Sequence, residues 1–408
     1  MNKADKKADI SILDRGESLT LMEPLLLREG ARRRGEILDR TVELAQKAAG
    51  LRRALPESLL SSLATLVRAM NCYYSNLIEG HNTHPVDVER ALRADYSSDP
   101  ETRDLQREAR AHVAVQWWID EGGLRERALT SDGIREIHRR FCMELPEELL
   151  WTQDLDGETR VRVEPGQWRD RDVRVGRHLA VSPGAVPRFL DRFTHAYANL
   201  GRTDTILAAA CAHHRLLWIH PFIDGNGRVA RLMSHAVLVE TLDSGALWSV
   251  ARGLARHVET YKQHLAACDL PRRNDLDGRG HLSEETLADF AVFFLDLCID
   301  QVEFMDGLIQ PERLRERIRL WARDAIQLGR LPPKAGLVLD ALLYRGTLPR
   351  GEVPDLVGTG ERQARRVVAA LIDAGVVTAQ TSRAPLVLAF PAHLAGRWLP
   401  GLFPEPSS

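Results

Sequence analysis

The sequence predicts a mainly α-helical protein, with one β-hairpin inside a long helical core and a small helix-and-strand unit after it. Three observations carry this. From Pro56 to about Gln310, apolar residues recur at helical spacing, as in Leu59, Leu60, Leu63, Leu66, Val67 and Met70. One segment, 158–176, instead alternates Val161/Val163 and Val173/Val175 around Pro165-Gly166, which is period two with a turn at its middle. After Leu331-Pro332-Pro333 the pattern changes to short helices and two short strand-like runs.

The 408 residues suffice for two or three domains, and the 44% hydrophobic and 27% charged content is that of a globular chain. A net charge of −2 excludes a uniformly basic nucleic-acid or membrane coat. Five scattered cysteines (Cys72, Cys142, Cys211, Cys268, Cys298) have no C-x-x-C spacing and read as thiols of a reducing cytoplasm. The charged N-terminus shows no apolar signal region, and the most apolar run, 287–300, carries Asp289, Asp296 and Asp300. A cytoplasmic protein that does not enter the membrane is expected.

Taken in order, residues 1–55 form a polar helical extension whose Arg32-Arg33-Arg34 cluster reads as a solvated face rather than a phosphate patch. Residues 56–310 form the main domain, with helices at 102–120, 131–143, 184–200, 204–218, 227–242 and 285–309. Residues 311–332 form a connecting helix and linker. In 333–395, helices at 335–345, 351–357 and 361–373 precede strands at Val376–Thr378 and Leu386–Leu388. This order resembles a winged helix-turn-helix, with Arg362, Arg365 and Arg366 on the recognition helix. Seven Lys/Arg against five Asp/Glu give the unit only +2, so both DNA and protein remain open as its partner. Residues 396–408 read as a tail.

The chemistry concentrates in 219–231. Gly225-Asn226-Gly227 is a turn opening onto a helix near Arg228, where backbone N–H groups and the helix dipole favour an anion. Arg228 and Arg231 lie three apart on its first turn, within reach of phosphate oxygens. Asp224 offers the hard oxygen that Mg²⁺ takes beside phosphates. His220 offers a base for a hydroxyl proton. The adjacent His213 and His214 face different ways, and without H-E-x-x-H spacing or a cysteine partner they argue against zinc.

This run resembles the signature of the Fic family, H-x-F-x-[D/E]-G-N-G-R-x-x-R, matching all eight specified positions: His220, Phe222, Asp224, Gly225, Asn226, Gly227, Arg228 and Arg231. Chance agreement is on the order of 10⁻¹⁰ per window. The resemblance, which spans about 60–300, implies a Fic-fold helical core that transfers AMP from ATP to a protein hydroxyl. In it, His220 would deprotonate a Ser, Thr or Tyr hydroxyl for attack on the α-phosphate, and Asp224 would hold Mg²⁺ across the α- and β-phosphates. Gly225, Asn226 and Gly227 would stabilise phosphate charge, Arg228 and Arg231 would grip the β- and γ-phosphates, and Phe222 would anchor the loop. The hairpin at 158–176, with Gly166-Gln167-Trp168-Arg169 at its bend, would be the flap that docks the target main chain by strand addition. Tyr261 would border the adenine or simply fill the core. Self-modification and homodimerisation are further family traits.

Upstream, MNCYYSNLIEG at 70–80 resembles the inhibitory-helix motif [S/T]-x-x-x-E-[G/N] of autoinhibited Fic proteins at Ser75, Glu79 and Gly80, at the end of a helix near 57–80. A Glu79 carboxylate paired bidentately with Arg231 would occupy the γ-phosphate position. Two alternatives stand beside AMP transfer. One is another reaction of the same cradle: AMP removal, UMP or phosphocholine transfer, or phosphorylation. The other is a nucleotide-sensing transcriptional regulator acting through the winged helix.

Overall fold

The computed structural model describes residues 14–404 apart from 54, 156 and 243; the expectations for 1–13 and 405–408 lie outside the described residues. The chain is mostly helical. Its helices are α1 (Arg34–Arg52), α2 (Glu57–Ile78), α3 (Pro85–Leu92), α4 (Pro100–Asp120), α5 (Ser131–Met143), α6 (Val186–Ala196), α7 (Arg202–Ile219), α8 (Asn226–Leu242), α9 (Val250–Arg256), α10 (Val258–Cys268), α11 (Glu284–Ile309) and α12 (Pro311–Gln327). Among the described residues no helix is long and apolar enough to cross a membrane.

The centre is α7, buried on every side from Ile206 to Leu216 and packed against α8 and α11. α7 lies inside because Ala208–Ala210 and Ala212 let neighbouring helices approach closely, while its buried His213, His214 and Arg215 each find polar partners there. α2 is amphipathic at its start and buried throughout from Leu66 to Asn76, between α4 and α9. Its last turn ends at Glu79, the C-cap, with Gly80 at φ +89° as the left-handed residue that closes the helix.

Of the expected 1–55 extension, the described residues pack into the main domain instead of extending from it. Met22, Leu25, Leu27, Ile37 and Leu44 belong to the same hydrophobic core as α7. Nor is the basic cluster a solvated face: Arg34 pairs with Asp204 at 2.6 Å, and Arg33 pairs with Asp289. Clamping these charges to α7 and α11 draws the segment onto the domain.

The strand pairing also differs from expectation. Val161/Val163 do not face Val173/Val175. Instead β1 (Trp151–Gln153) pairs antiparallel with β2 (Arg160–Arg162), and β3 (Arg174–Val175) pairs with β4 (His178–Leu179). The first ribbon turns through Asp154–Gly157, where Asp154 N donates to Thr159 O and Gly157 N to Asp154 O. The Pro165-Gly166 bend is pulled inward, because Gly166 N donates to His138 Nδ1 at 3.0 Å. At φ +70°, and with Arg139 Cβ 2.8 Å from where a side chain would begin, only glycine fits there.

The C-terminal unit comprises α13 (Ala335–Arg345), β5 (Thr347–Leu348), α14 (Val353–Val357), α15 (Glu361–Asp373), β6 (Val377–Thr378) and β7 (Leu386–Leu388). Its antiparallel sheet has the order β5-β7-β6. The expected tail is packed. Trp398 is buried edge-on against Trp321 at 5.2 Å, and the chain then returns over α2, where Tyr74 Oη donates to Leu402 O and Arg252 Nη2 to Gly401 O.

Candidate active site

The 219–231 run forms a tight loop between α7 and α8. His220 caps α7 in the left-handed region, φ 51° and ψ 62°, with its N–H on Leu216 O. A non-glycine residue there is strained by about 1 kcal/mol or more, so the surrounding contacts must hold it. They do so from three sides. Phe222 is fully buried and stacked on His138 with ring centroids 3.8 Å apart and planes 7° from parallel. The buried Asn226 amide closes the loop, with Oδ1 accepting from Phe222 N at 3.0 Å and Nδ2 donating to Phe222 O at 2.9 Å. The buried Arg169 donates to His220 O, Arg171 O and Ile219 O, contacts Val181 O, and its own N–H bonds Pro221 O.

The His220 ring places Nδ1 3.2 Å from Leu217 O. A carbonyl only accepts, so Nδ1 carries the proton and Nε2 keeps its lone pair. Burial lowers the imidazole pKa to about 4, so the ring is neutral at pH 7 and able to accept a proton.

α8 begins at Asn226, directly after this loop. Gly225, at φ +81°, donates its N–H to the exposed Asp224 carboxylate at 2.6 Å. The Asn226 side chain is likewise consumed by the loop, so only its backbone is left to meet an anion. The N-terminal turn of α8 retains its dipole, with Arg228 and Arg231 beside it.

Both arginines are already paired. Arg231, 4% exposed at its side chain, donates through Nε to Ser75 Oγ at 2.9 Å and through Nη2 to Ser75 O and Glu79 Oε1. Glu79 contributes one oxygen, not the expected bidentate fork, because Ser75 takes Nε. Its carboxylate lies over the helix N-terminus: a Cβ at Gly227 would stand 2.7 Å from Glu79 Oε1. Burial raises the Glu79 pKa, but the charge of Arg231 and its hydrogen bond outweigh this and hold the carboxyl below its ordinary range. Arg228 donates through Nη2 to Glu108 Oε2 at 3.0 Å.

The expected flap residues divide. Gly166 and Arg169 are buried, Trp168 is half-buried against Phe222 at 5.1 Å, and Gln167 alone is exposed. Gly166, Trp168 and Arg169 therefore fasten the flap root beneath the histidine, leaving Gln167 at a cavity of about 260 Å³ with Val161 and Ile223. Tyr261 is buried, its hydroxyl 2.7 Å from His213 Nε2, and sits in the core. His213 and His214 meet separate partners, Ser234 and Asp269. Among the described residues no three His, Cys, Asp or Glu side chains converge as a metal cage.

Residues 128–238, from the approach to α5 through most of α8, match the Fic/DOC family. Over that segment the chain is similar to a Fic domain. It is 27% identical over 194 residues to the protein adenylyltransferase Fic of Drosophila grimshawi, covering 47% of this chain and 35% of that protein. Against the Drosophila melanogaster protein of the same name it is 27% identical over 170 residues, covering 41% and 31%. The chain thus spans about a third of the length of these curated relatives. The crystal structure of a Fic family protein from Desulfovibrio desulfuricans G20 shares the fold, with a TM-score of 0.52 at 17% identity, over 86% of this chain and 96% of that one.

Three residues that shape this site escape a reading of the sequence. His138 stacks under Phe222, Glu108 pairs with Arg228, and His81 lies 3.2 Å from the same Glu108 oxygen. His138 and Glu108 show in the sequence only as polar residues at helical spacing from apolar neighbours, which surface residues share, and His81 as a polar loop residue after the helix.

Proposed function

We propose that the chain transfers AMP from ATP to a Ser, Thr or Tyr hydroxyl of a protein, and that Glu79 restrains it. The carrying observation is a neutral His220, with Nε2 unprotonated, beside a helix N-terminus flanked by the buried Arg231 and the half-buried Arg228. In this reading Nε2 takes the hydroxyl proton as the oxygen attacks the α-phosphorus. The new P–O bond forms as the bond to pyrophosphate breaks, and Arg228 and Arg231 take up the charge gathering on the departing phosphates. Lowered basicity is tolerable because a bound triphosphate raises the imidazole's proton affinity.

Asp224 suits Mg²⁺, which takes one or two carboxylates and fills its shell with phosphate oxygens and water; a bound ion would neutralise phosphate charge. With Glu79 on Arg231, the γ-phosphate would meet a carboxylate instead of a guanidinium. The target main chain would lie beside β1 and Gln167. The buried free thiols suit a reducing compartment, so we place the reaction in the cytoplasm.

The test is transfer to lysate proteins, or to the chain itself, from ATP labelled at the α- or γ-phosphate. Glu79→Gly should attach α-label but no γ-label, wild type little of either, and Glu79→Gly/His220→Ala none. Transfer of γ-label would indicate phosphorylation, and release of AMP from a modified target would indicate the reverse reaction. A second reading rests on the exposed Arg362, Arg365 and Arg366 of α15: a winged helix that binds DNA. Salt-dependent DNA binding that survives His220→Ala would support it.

A further inference from the structure

Glu108 stands on α4, 120 residues before Arg228 in the chain, yet the two meet at 3.0 Å with side chains only 15% and 12% exposed. The guanidinium is held on two sides. Its Nη2 edge is tied to Glu108, and one face lies over the Phe141 ring, 5.1 Å from the centroid. Its Nε is buried with no hydrogen-bond partner among the described residues, so the group retains a donor for an incoming acceptor. The same Glu108 oxygen lies 3.2 Å from His81 Nδ1, in the loop that follows Glu79.

We propose that Glu108 is a positioning residue of the nucleotide site, holding Arg228 in the orientation in which it meets a phosphate, and that His81 steadies Glu108 from the other side. The inference rests on the reading of Arg228 as a phosphate ligand. An arginine side chain carries about 2 kcal/mol of rotamer entropy, and a fixed guanidinium has lost it before the ligand arrives. A buried guanidinium also needs a counter-charge, and Glu108 supplies it. Burial raises the Glu108 pKa, but the bond to His81 and the charge of Arg228 outweigh it, so the carboxyl stays ionised. His81 is raised in turn by its bond to Glu108. Without Glu108, the next carboxylate acting on Arg228 is Glu79 itself. With Glu79 present Arg228 would then turn toward the brake, and in Glu79→Gly it would lose the partner that fixes its orientation, so losing Glu108 weakens nucleotide binding in both backgrounds.

The opposite expectation is equally concrete: a carboxylate near phosphates repels them, and removing it should tighten binding. The full chain decides between them in the Glu79→Gly background, with ATP and Mg²⁺ titrated calorimetrically and transfer kinetics measured alongside. Glu108→Gln should weaken ATP binding about tenfold, as expected for partners in contact, and should raise KM more than it lowers kcat. It should add nothing once Arg228→Gln is present. His81→Gln, at a half-exposed position, should move the ATP constant the same way by about twofold. ATP binding unchanged or tighter in Glu108→Gln, or full additivity with Arg228→Gln, overturns the assignment. If Glu108→Gln does not fold, an unchanged ATP constant in His81→Gln overturns it. A Glu79→Gly protein that binds no ATP at all refutes the nucleotide-site reading instead.

Discussion

Replacing Glu79 by glycine isolates the brake from the rest of the site. Among the described residues Arg231 hydrogen-bonds Ser75 and Glu79, and on the proposed reading it is the Glu79 carboxylate that stands where a γ-phosphate would bind. Hydrogen bonds to charged groups contribute about 1.5–3 kcal/mol. Here one partner is dry and the other 35% exposed, so solvent screening holds the value near the lower end, about 1.5–2 kcal/mol. ATP must break this contact to reach Arg231, so its apparent affinity is reduced by the same energy. At 1.4 kcal/mol per decade, Glu79→Gly should bind ATP about 10- to 30-fold more tightly than wild type. Glu79→Gln, which keeps an acceptor but not the charge, should fall between. Because the folded-state pKa of Glu79 is depressed, the contact is present above the ordinary carboxyl range and is lost only as pH falls through that lowered value. The ratio of the two affinities should therefore hold constant between about pH 6 and 8. Calorimetric titration with ATP measures it, and equal affinities for wild type and Glu79→Gly refute the brake.

Other consequences can be measured on the same protein. His112, His138, His213 and His214 are buried and His220 half-buried, with pKa values lowered to about 3, 4, 3, 4 and 4. Between pH 6.5 and about 4 the unfolded chain binds protons that the folded one refuses, so stability falls with pH by about 1.4 kcal/mol per unit for each ring. Unfolding by circular dichroism should centre near pH 5, and a chain still folded at about pH 4 contradicts this. Arg169→Gln strips donors from the carbonyls of His220, Arg171, Val181 and Ile219 and should cost about 2–4 kcal/mol in urea unfolding. An unchanged urea midpoint would show that those carbonyls find other donors. Asn226→Ala removes both bonds to Phe222 and should cost about 1–3 kcal/mol while abolishing transfer, and Asn226→Asp should lie between. Full transfer by Asn226→Ala would mean that the loop holds its shape without the amide.

The helical class was legible because the apolar spacing of segments such as α2 persists over many turns, and each turn repeats the signal. The motif was legible because its chemistry lies within twelve consecutive residues, so that chain connectivity alone brings His220 near Arg231. Contacts made across the fold left no such trace. Glu108 reads as one more helical glutamate until α4 lies beside α8. Arg169 reads as a surface arginine of a flap, although its donors are spent on buried carbonyls. Strand register was misread because four valines offered one symmetric pairing, while the chain paired around Asp154–Gly157 and gave Gly166 to His138. Residues 396–404 looked like a tail because their anchors, Tyr74, Arg252 and Trp321, are far away in sequence.

That returning stretch bears on how the protein should be dissected. Cutting at the prolines after Leu331 would divide the main helical domain from the C-terminal unit, but Tyr74 would lose the carbonyl of Leu402 and Arg252 that of Gly401. Tyr74 is the residue immediately before Ser75, so a shortened chain would loosen the very helix that carries Ser75 and Glu79. Its turnover would then report a wounded regulator rather than an independent catalyst.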